Sequence, residues 1–322
     1  MIGQNLEISM QNSSQLETVT CIFGHTSAAN KLFDRPDWWC GLPGAFAWYQ
    51  CPECGLRFLS PRPTLEHIAD YYPDSYAAYR PAIDDEPFAL MRWKRRRNLQ
   101  KHLESLHKWT ARNGRLLDVG CATGNYLVEA QKAGWNVKGV EIQADAASYA
   151  RQRFNLDVFT GDLLDNPFPP NTFDVITMWD VLEHTHNPIA ILQEAHQLLT
   201  QNGVVIFSIP DPHSKEANTF SKAWIGYDAP RHLFLFEGQS LSMLLKECGF
   251  ELLETDHFLA NYHTWLASYQ TDLKTGRQLK LLDRLFMPFM SLPIWSTLTS
   301  PYFNWLNKNG RGTVMTVFAR VI

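Results

Sequence analysis

Cysteine is scarce in this chain, with six in 322 residues. The opening stretch MIGQNLEISMQNSSQLETVT lacks a basic start followed by an apolar block. Neither a disulfide framework nor a secretory signal is therefore expected, and the thiols are read as reduced in a cytoplasmic protein. An excess of positive charge is missing too. Lys and Arg number 29 against 33 Asp and Glu, a net charge of −4, which disfavours a general nucleic-acid binder because such proteins carry a basic footprint. The uncharged run LFMPFMSLPIWSTLTSPYFNWL (285–306) is long enough to span a bilayer, but Pro288, Pro293 and Pro301 interrupt it and deny it a straight helix. Short helices over the core are expected there, with peripheral membrane contact or room for a lipid-like substrate as the other reading.

What is present is an α/β alternation. From residue 114 the runs GRLLDVG, NVKGVEI, LDVFTGD, FDVITMWD and GVVIFSIP read as strands, separated by helical stretches such as ADAASYARQRF and PIAILQEAHQLLT. Strand, helix, strand in this order predicts parallel pairing through right-handed crossovers, and the nearly continuous apolarity of the strands predicts a sheet covered on both faces. GQSLSMLLKECG and FELLETDHF add a helix and a strand, and TVMTVFARV a last strand. The expected division is a flexible tail (1–20), a ribbon-like arm (21–65), a helical linker or lid (66–110) and a main domain (111–322) carrying an apolar helical insertion at about 262–311.

In LLDVGCATGNYL, residues 116–127, Gly120, Ala122 and Gly124 alternate at a turn from strand to helix. Such a turn lets a ligand reach backbone amides at a helix N-terminus. Glu141 at the tip of the second strand can accept from ribose hydroxyls, Asp162 after the third can hold an adenine amine, and Asp118 ends the first. A dinucleotide favours G-x-G-x-x-G and disfavours an added carboxylate, whereas this set suits a ligand bearing an ammonium and a sulfonium. With these residues the sequence resembles the class I S-adenosylmethionine-dependent methyltransferases over roughly residues 110–260 and the final strand. The resemblance implies a Rossmann-like, doubly wound, mostly parallel seven-stranded sheet with an antiparallel last strand. It also implies S-adenosylmethionine as cofactor, held by Asp118, Gly120, Cys121, Ala122, Gly124, Glu141, Ile142, Asp162, Leu163 and Trp179.

The stretch WDVLEHTHNP is similar to the V-L-E-H segment of the branch that includes ubiquinone-type O-methyltransferases. His184 within it and His232 in WIGYDAPRHLFLFEGQSL are the candidate bases for an acceptor proton. His184 reads equally as a structural histidine, and Glu183 as a cation ligand. Trp224, Tyr227 and Arg231 are expected to line the acceptor pocket, against the alternative that the aromatics fill core. The acceptor is expected to be a small molecule, a sugar, nucleotide-sugar or lipid-linked intermediate, with O-methylation ahead of C-methylation. The rivals are an NAD-dependent oxidoreductase and an RNA-directed or non-enzymatic module.

Cys51-x-x-Cys54-Gly forms half of a tetrahedral zinc site. Cys21 and His25 are expected to complete it, with Cys40 in reserve for His25 and a hairpin without metal as the alternative. RWKRRR (92–97) is the strongest charge run. It is expected on a helix, either solvated or in contact with phosphates. Oligomeric state is left open by the sequence.

Overall fold

The computed structural model describes residues 15–73, 82–110, 114–275 and 287–322. Five short strands come first: β1 (Leu16–Glu17), β2 (Asn30–Asp34), β3 (Ala47–Gln50), β4 (Arg57–Leu59) and β5 (Arg62–Pro63). Helix α1 (Ala89–Leu106) follows, and then the alternation β6 (Arg115–Val119), α2 (Asn125–Lys132), β7 (Asn136–Glu141), α3 (Ala144–Phe154), β8 (Val158–Thr160), β9 (Phe173–Trp179), α4 (Pro188–Leu198) and β10 (Leu199–Pro210). After α5 (Lys215–Phe220) come β11 (Phe234–Leu235), α6 (Gly238–Glu247), β12 (Phe250–Asp256), α7 (Tyr262–Lys274), α8 (Pro293–Leu298), α9 (Ser300–Lys308) and β13 (Val314–Val321).

The main sheet has seven strands in the order β12-β13-β10-β9-β6-β7-β8. β6 pairs in parallel with β7 and β9, β7 with β8 and β9 with β10, whereas β13 is antiparallel to β10 and β12. This is the doubly wound sheet with a reversed last strand that the resemblance implies. Order reverses beside β6, so the crevice at the carboxyl ends of β6 and β9 is where such a sheet accepts a ligand. Leu116 and Leu117 of β6 are both fully buried but belong to opposite faces, each with its own apolar cluster. That double coverage explains why the strands read as unbroken apolar runs. Helix starts follow local chemistry. Asn187 caps α4 by accepting from the Ala190 amide at 3.1 Å with Pro188 in the first turn, and Glu237 and Ser240 form a reciprocal capping box on α6.

The leading segments depart from expectation in two ways. Residues 1–14 of the expected tail lie outside the described residues, but Leu16 and Glu17 are not loose: they pair with Pro63 and Arg62. The arm is also not a separate ribbon. Its strands β2, β3 and β4 form a four-stranded antiparallel sheet completed by β11, which comes from the main domain. Phe46, Trp48, Leu56 and Phe58 share one core with Leu117, Ile176 and Phe207 of the main sheet. A short hairpin is marginal by itself, and the fourth strand and shared core supply the burial it lacks.

The insertion forms its own small cluster, with Phe303 and Leu306 packed against Ala260, Tyr262 and Leu266. Residues 276–286 of it lie outside the described set. No helix among the described residues is long and apolar enough to cross a membrane.

Candidate active site

At the carboxyl end of β6 the chain turns through Gly120, Ala122 and Gly124, all with positive φ (70°, 47° and 79°). The need for small residues there comes first from the protein itself. A Cβ on Gly120 would lie 2.6 Å from Val181 Cγ2, and one on Gly124 2.6 Å from Leu156 Cδ1. Glycine thus admits both the left-handed backbone and the close packing of loop on helix. Ala122 occupies the same backbone region with a methyl group, a mildly strained choice.

Glu141 at the tip of β7 is buried and doubly anchored. Its Oε2 accepts from the Ala122 amide and its Oε1 from the Gln143 amide, both at 2.8 Å. Burial raises its carboxyl above the usual range despite those bonds. Asp118, on the β6 tip, accepts from Thr177 Oγ1 of β9 at 2.7 Å. Burial, added to by the Glu141 charge, pushes its carboxyl up to about 8 even with that bond. Two acidic groups are therefore held together with little bulk water. That costs free energy in the empty protein and favours any cation that enters.

Asp162 follows β8 half-exposed, with Oδ1 accepting from the Leu164 amide at 2.8 Å. Ile142 stands 61% exposed beside Glu141, while Leu163 is buried in the core. Trp179 ends β9 half-buried, its ring 4.2 Å from that of His102 on α1. Cys121 turns inward, so that a Cβ on Gly139 would lie 2.6 Å from its Sγ. Its side chain is packing, and only its backbone belongs to the turn. The residues fit the implied cofactor: carboxylates for hydroxyl and ammonium groups, a bare turn, and an apolar shelf. Thr177 is the partner that sequence reading missed, since a threonine inside an apolar strand gives no signal of its own.

Beyond β9 two imidazoles meet. The rings of His184 and His232 are 4.6 Å apart and nearly perpendicular. His232 Nδ1 lies 2.9 Å from the Gly226 carbonyl and His184 Nδ1 3.0 Å from the Arg231 carbonyl. A carbonyl only accepts, so for His232 Nδ1 carries the proton and Nε2 keeps its lone pair. Burial, reinforced by the neighbouring His232, pushes His184 down to about 3, and burial lowers His232 as well. Both are neutral at physiological pH. Tyr72 OH lies 3.0 Å from His184 Nδ1, a contact from the linker that no sequence motif announces. Glu183 is 1% exposed, and one ligand atom from each of Glu183, His184 and His232 lies within 4.8 Å of the others. The three are spaced for a cation.

The expected apolar wall with an available cation needs correction. Arg231 is fully buried in a carboxylate clamp. Its Nη2 donates to Asp37 Oδ1 and Asp228 Oδ1, each at 2.7 Å, its Nε to Asp228 Oδ2 at 2.8 Å, and its Nη1 to the Tyr71 carbonyl at 3.0 Å. Against the cost of burial, Asp228 and Asp37 hold it charged. Trp224 is equally buried, with Nε1 donating to Thr313 Oγ1 at 2.9 Å, and the Tyr227 hydroxyl is bonded by Arg57. These side chains are satisfied by protein and present no polar atom to an acceptor. They fasten the wall instead, joined by Arg35, whose guanidinium donates to the carbonyls of Tyr227 at 2.8 Å and Lys222 at 2.9 Å. Asp37 and Arg35 lie in the arm, so their role is invisible in a reading that treats the arm alone.

Within the arm, Cys21, His25, Cys51 and Cys54 offer four ligand atoms within 4.8 Å of one another. Cys21 Sγ lies 3.4 Å from His25 Nδ1 and 3.7 Å from Cys54 Sγ, and Cys51 Sγ 3.3 Å from His25 Nδ1. Burial alone would raise Cys51, but the amides of Cys54 and Glu53 and the His25 ring bring it down to about 7. Burial pushes Cys54 up to about 12 and raises Cys21. Sulfur and nitrogen donors at these separations match the edges of a zinc tetrahedron with bonds of about 2.0–2.3 Å. Cys40 is not in this group.

The family described as Methyltransferase domain matches residues 91–255. The chain belongs to that family. Ubiquinone biosynthesis O-methyltransferase of Actinobacillus pleuropneumoniae serotype 7 is 34% identical over 104 residues, 29% of this chain and 44% of that protein. Phosphoethanolamine N-methyltransferase 1 of Arabidopsis thaliana is 26% identical over 161 residues, 47% of this chain and 32% of that protein. The chain thus matches less than half the length of these curated relatives. Among solved structures, a SAM-dependent methyltransferase from Archaeoglobus fulgidus has a TM-score of 0.47 and 16% identity, covering 70% of this chain and 94% of that one.

Proposed function

We propose that this methyltransferase-family chain moves a methyl group from S-adenosylmethionine to an oxygen of a small acceptor. The observation that carries this reading is the pair of buried carboxylates, Asp118 and Glu141, held at the tips of two parallel strands around a bare turn. When bound, the cofactor would supply a methyl group activated by its sulfonium, with a thioether as the leaving group. Glu141 would receive the ribose hydroxyls, Asp162 the adenine amine, and Asp118 the ammonium end. His232 Nε2 would take the proton of the acceptor hydroxyl. A neutral imidazole whose other nitrogen is already bonded is suited to that step. Catalysis otherwise requires in-line placement and exclusion of water.

The similarity to a ubiquinone O-methyltransferase supports oxygen as the nucleophile. A sugar, nucleotide-sugar or lipid-linked intermediate is the acceptor class proposed. Titration calorimetry with S-adenosylhomocysteine and with NAD tests the cofactor half: binding of NAD alone would overturn it. Transfer of labelled methyl in a screen of those acceptors tests the other half, and transfer only to amines would replace the oxygen reading.

The arm is proposed to hold structural zinc through Cys21, His25, Cys51 and Cys54. Near-stoichiometric zinc in the purified chain is expected, together with a lower melting temperature after chelation, because metal binding adds directly to folding free energy. Less than about a tenth of an equivalent would count against a site of ordinary affinity.

A further inference from the structure

Among the described residues, one face is apolar and exposed. On α1, Leu90 and Trp93 are 52% and 60% exposed. Lys94 Nζ donates to Ser296 Oγ and Thr297 Oγ1, each at 2.7 Å, which brings α8 alongside. Ile294 and Leu298 of that helix are 56% and 61% exposed, and Tyr302 and Trp305 of α9 extend the surface at 47% and 51%. Water-facing aromatic and aliphatic side chains at this density cost free energy unless something covers them.

The surrounding charge identifies the cover. Residues 287–307 carry no charged side chain. Arg97, one turn beyond Trp93, is exposed, as are Lys308 and Arg311 at the far end of α9. Two acidic residues just before α1 are already engaged, Asp84 by Arg96 and Glu86 by Arg95. Apolar and aromatic side chains bordered by cations match a bilayer surface with anionic headgroups, where Trp and Tyr settle at the headgroup level and Arg and Lys meet phosphates.

We infer that the face made by the start of α1 with α8 and α9 docks on an anionic lipid bilayer. The same elements border a cleft of about 90 Å³ lined by Asn98, Lys101, Phe258, Ser296 and Phe303. Phe258 meets Trp179 edge to face, with ring centroids 6.4 Å apart. Docking would therefore set the membrane beside a cleft whose lining Phe258 packs on Trp179 at the tip of β9.

The test is co-sedimentation of the full chain with vesicles of phosphatidylcholine alone and of phosphatidylcholine with about a third phosphatidylglycerol, without cofactor or acceptor. Binding to the mixed vesicles at least about tenfold stronger than to the neutral ones is expected, weakening steeply with salt. The variant W93S/L298S/W305S should lose that binding by about tenfold or more. R97E/K308E, whose sites are exposed and therefore spare the fold, should abolish the preference for anionic vesicles. Three outcomes overturn the inference: no sedimentation, equal sedimentation with both vesicles, or a dimer in solution that W93S converts to monomer, which would make a second copy the cover. Because no turnover is read, failure here leaves the methyl-transfer proposal standing, and failure of that proposal leaves this one.

Discussion

The proposed cofactor edge and the proposed acceptor wall lie on the same side of the main sheet, yet they are built in opposite ways. The cofactor edge draws Asp118, Ala122, Glu141 and Asp162 from consecutive strand ends, and its key bonds span shorter stretches of chain, 19 residues from Glu141 to the Ala122 amide and 59 from Asp118 to Thr177. The acceptor wall depends on Arg231 and Asp37, 194 residues apart, and on Arg35 and Tyr227, separated by 192. The first is a local construction that a parallel sheet produces almost automatically. The second exists only once the arm has closed on the main domain, so damage to the arm should reach the acceptor while sparing the cofactor.

Four experiments sharpen or break that contrast. His232→Gln should lower turnover by about 10²–10⁴, the usual contribution of a positioned base, while S-adenosylhomocysteine affinity stays unchanged in calorimetry. Full activity would remove His232 as the base. Arg231→Met should cost about 3–5 kcal/mol of stability in urea titration, because Asp37 and Asp228 would be left buried without a counter-charge. A loss below about 1 kcal/mol, the size of an exposed pair, would deny the clamp its role.

Glu141→Ala should weaken cofactor binding by about 1–3 kcal/mol with little change in turnover at saturating cofactor, the mirror image of the His232 result. The fourth and smallest effect is in pH. Asp118, raised to about 8 in the empty protein, is mostly protonated at pH 7, whereas a cationic ligand favours its carboxylate. Cofactor affinity should therefore rise as pH climbs towards about 8 and level off above it, by at most about tenfold per unit. Proton release should appear as a dependence of binding enthalpy on the buffer, and Asp118→Asn should remove both effects. As a control on the arm, Cys40→Ser should leave metal content and melting temperature unchanged.

Much of the fold was legible because periodicity and turn chemistry are local. Unbroken apolar strands, a glycine turn and an acid at each strand tip specify a doubly wound sheet and its ligand edge. The pairing of Cys21 and His25 with Cys51 and Cys54 was also legible, since the ligands' own chemistry marks them. Legibility failed where a residue's role depends on a distant partner. Arg231, Trp224 and Tyr227 have the composition of a binding surface, and nothing in WIGYDAPRH reveals that Asp37, Thr313 and Arg57 respectively engage them from distant parts of the chain. Tyr72 beside His184 is hidden for the same reason.

By itself, then, the sequence determined the sheet, the carboxylates at its edge and the identity of the thiols, all consequences of short-range pattern. The tertiary structure decided that the arm shares the main core through β11, that a buried arginine fastens the wall it was expected to line, and that both histidines are neutral. Those outcomes depend on burial and on partners far along the chain, which set whether a charge is available or spent and which no local pattern encodes.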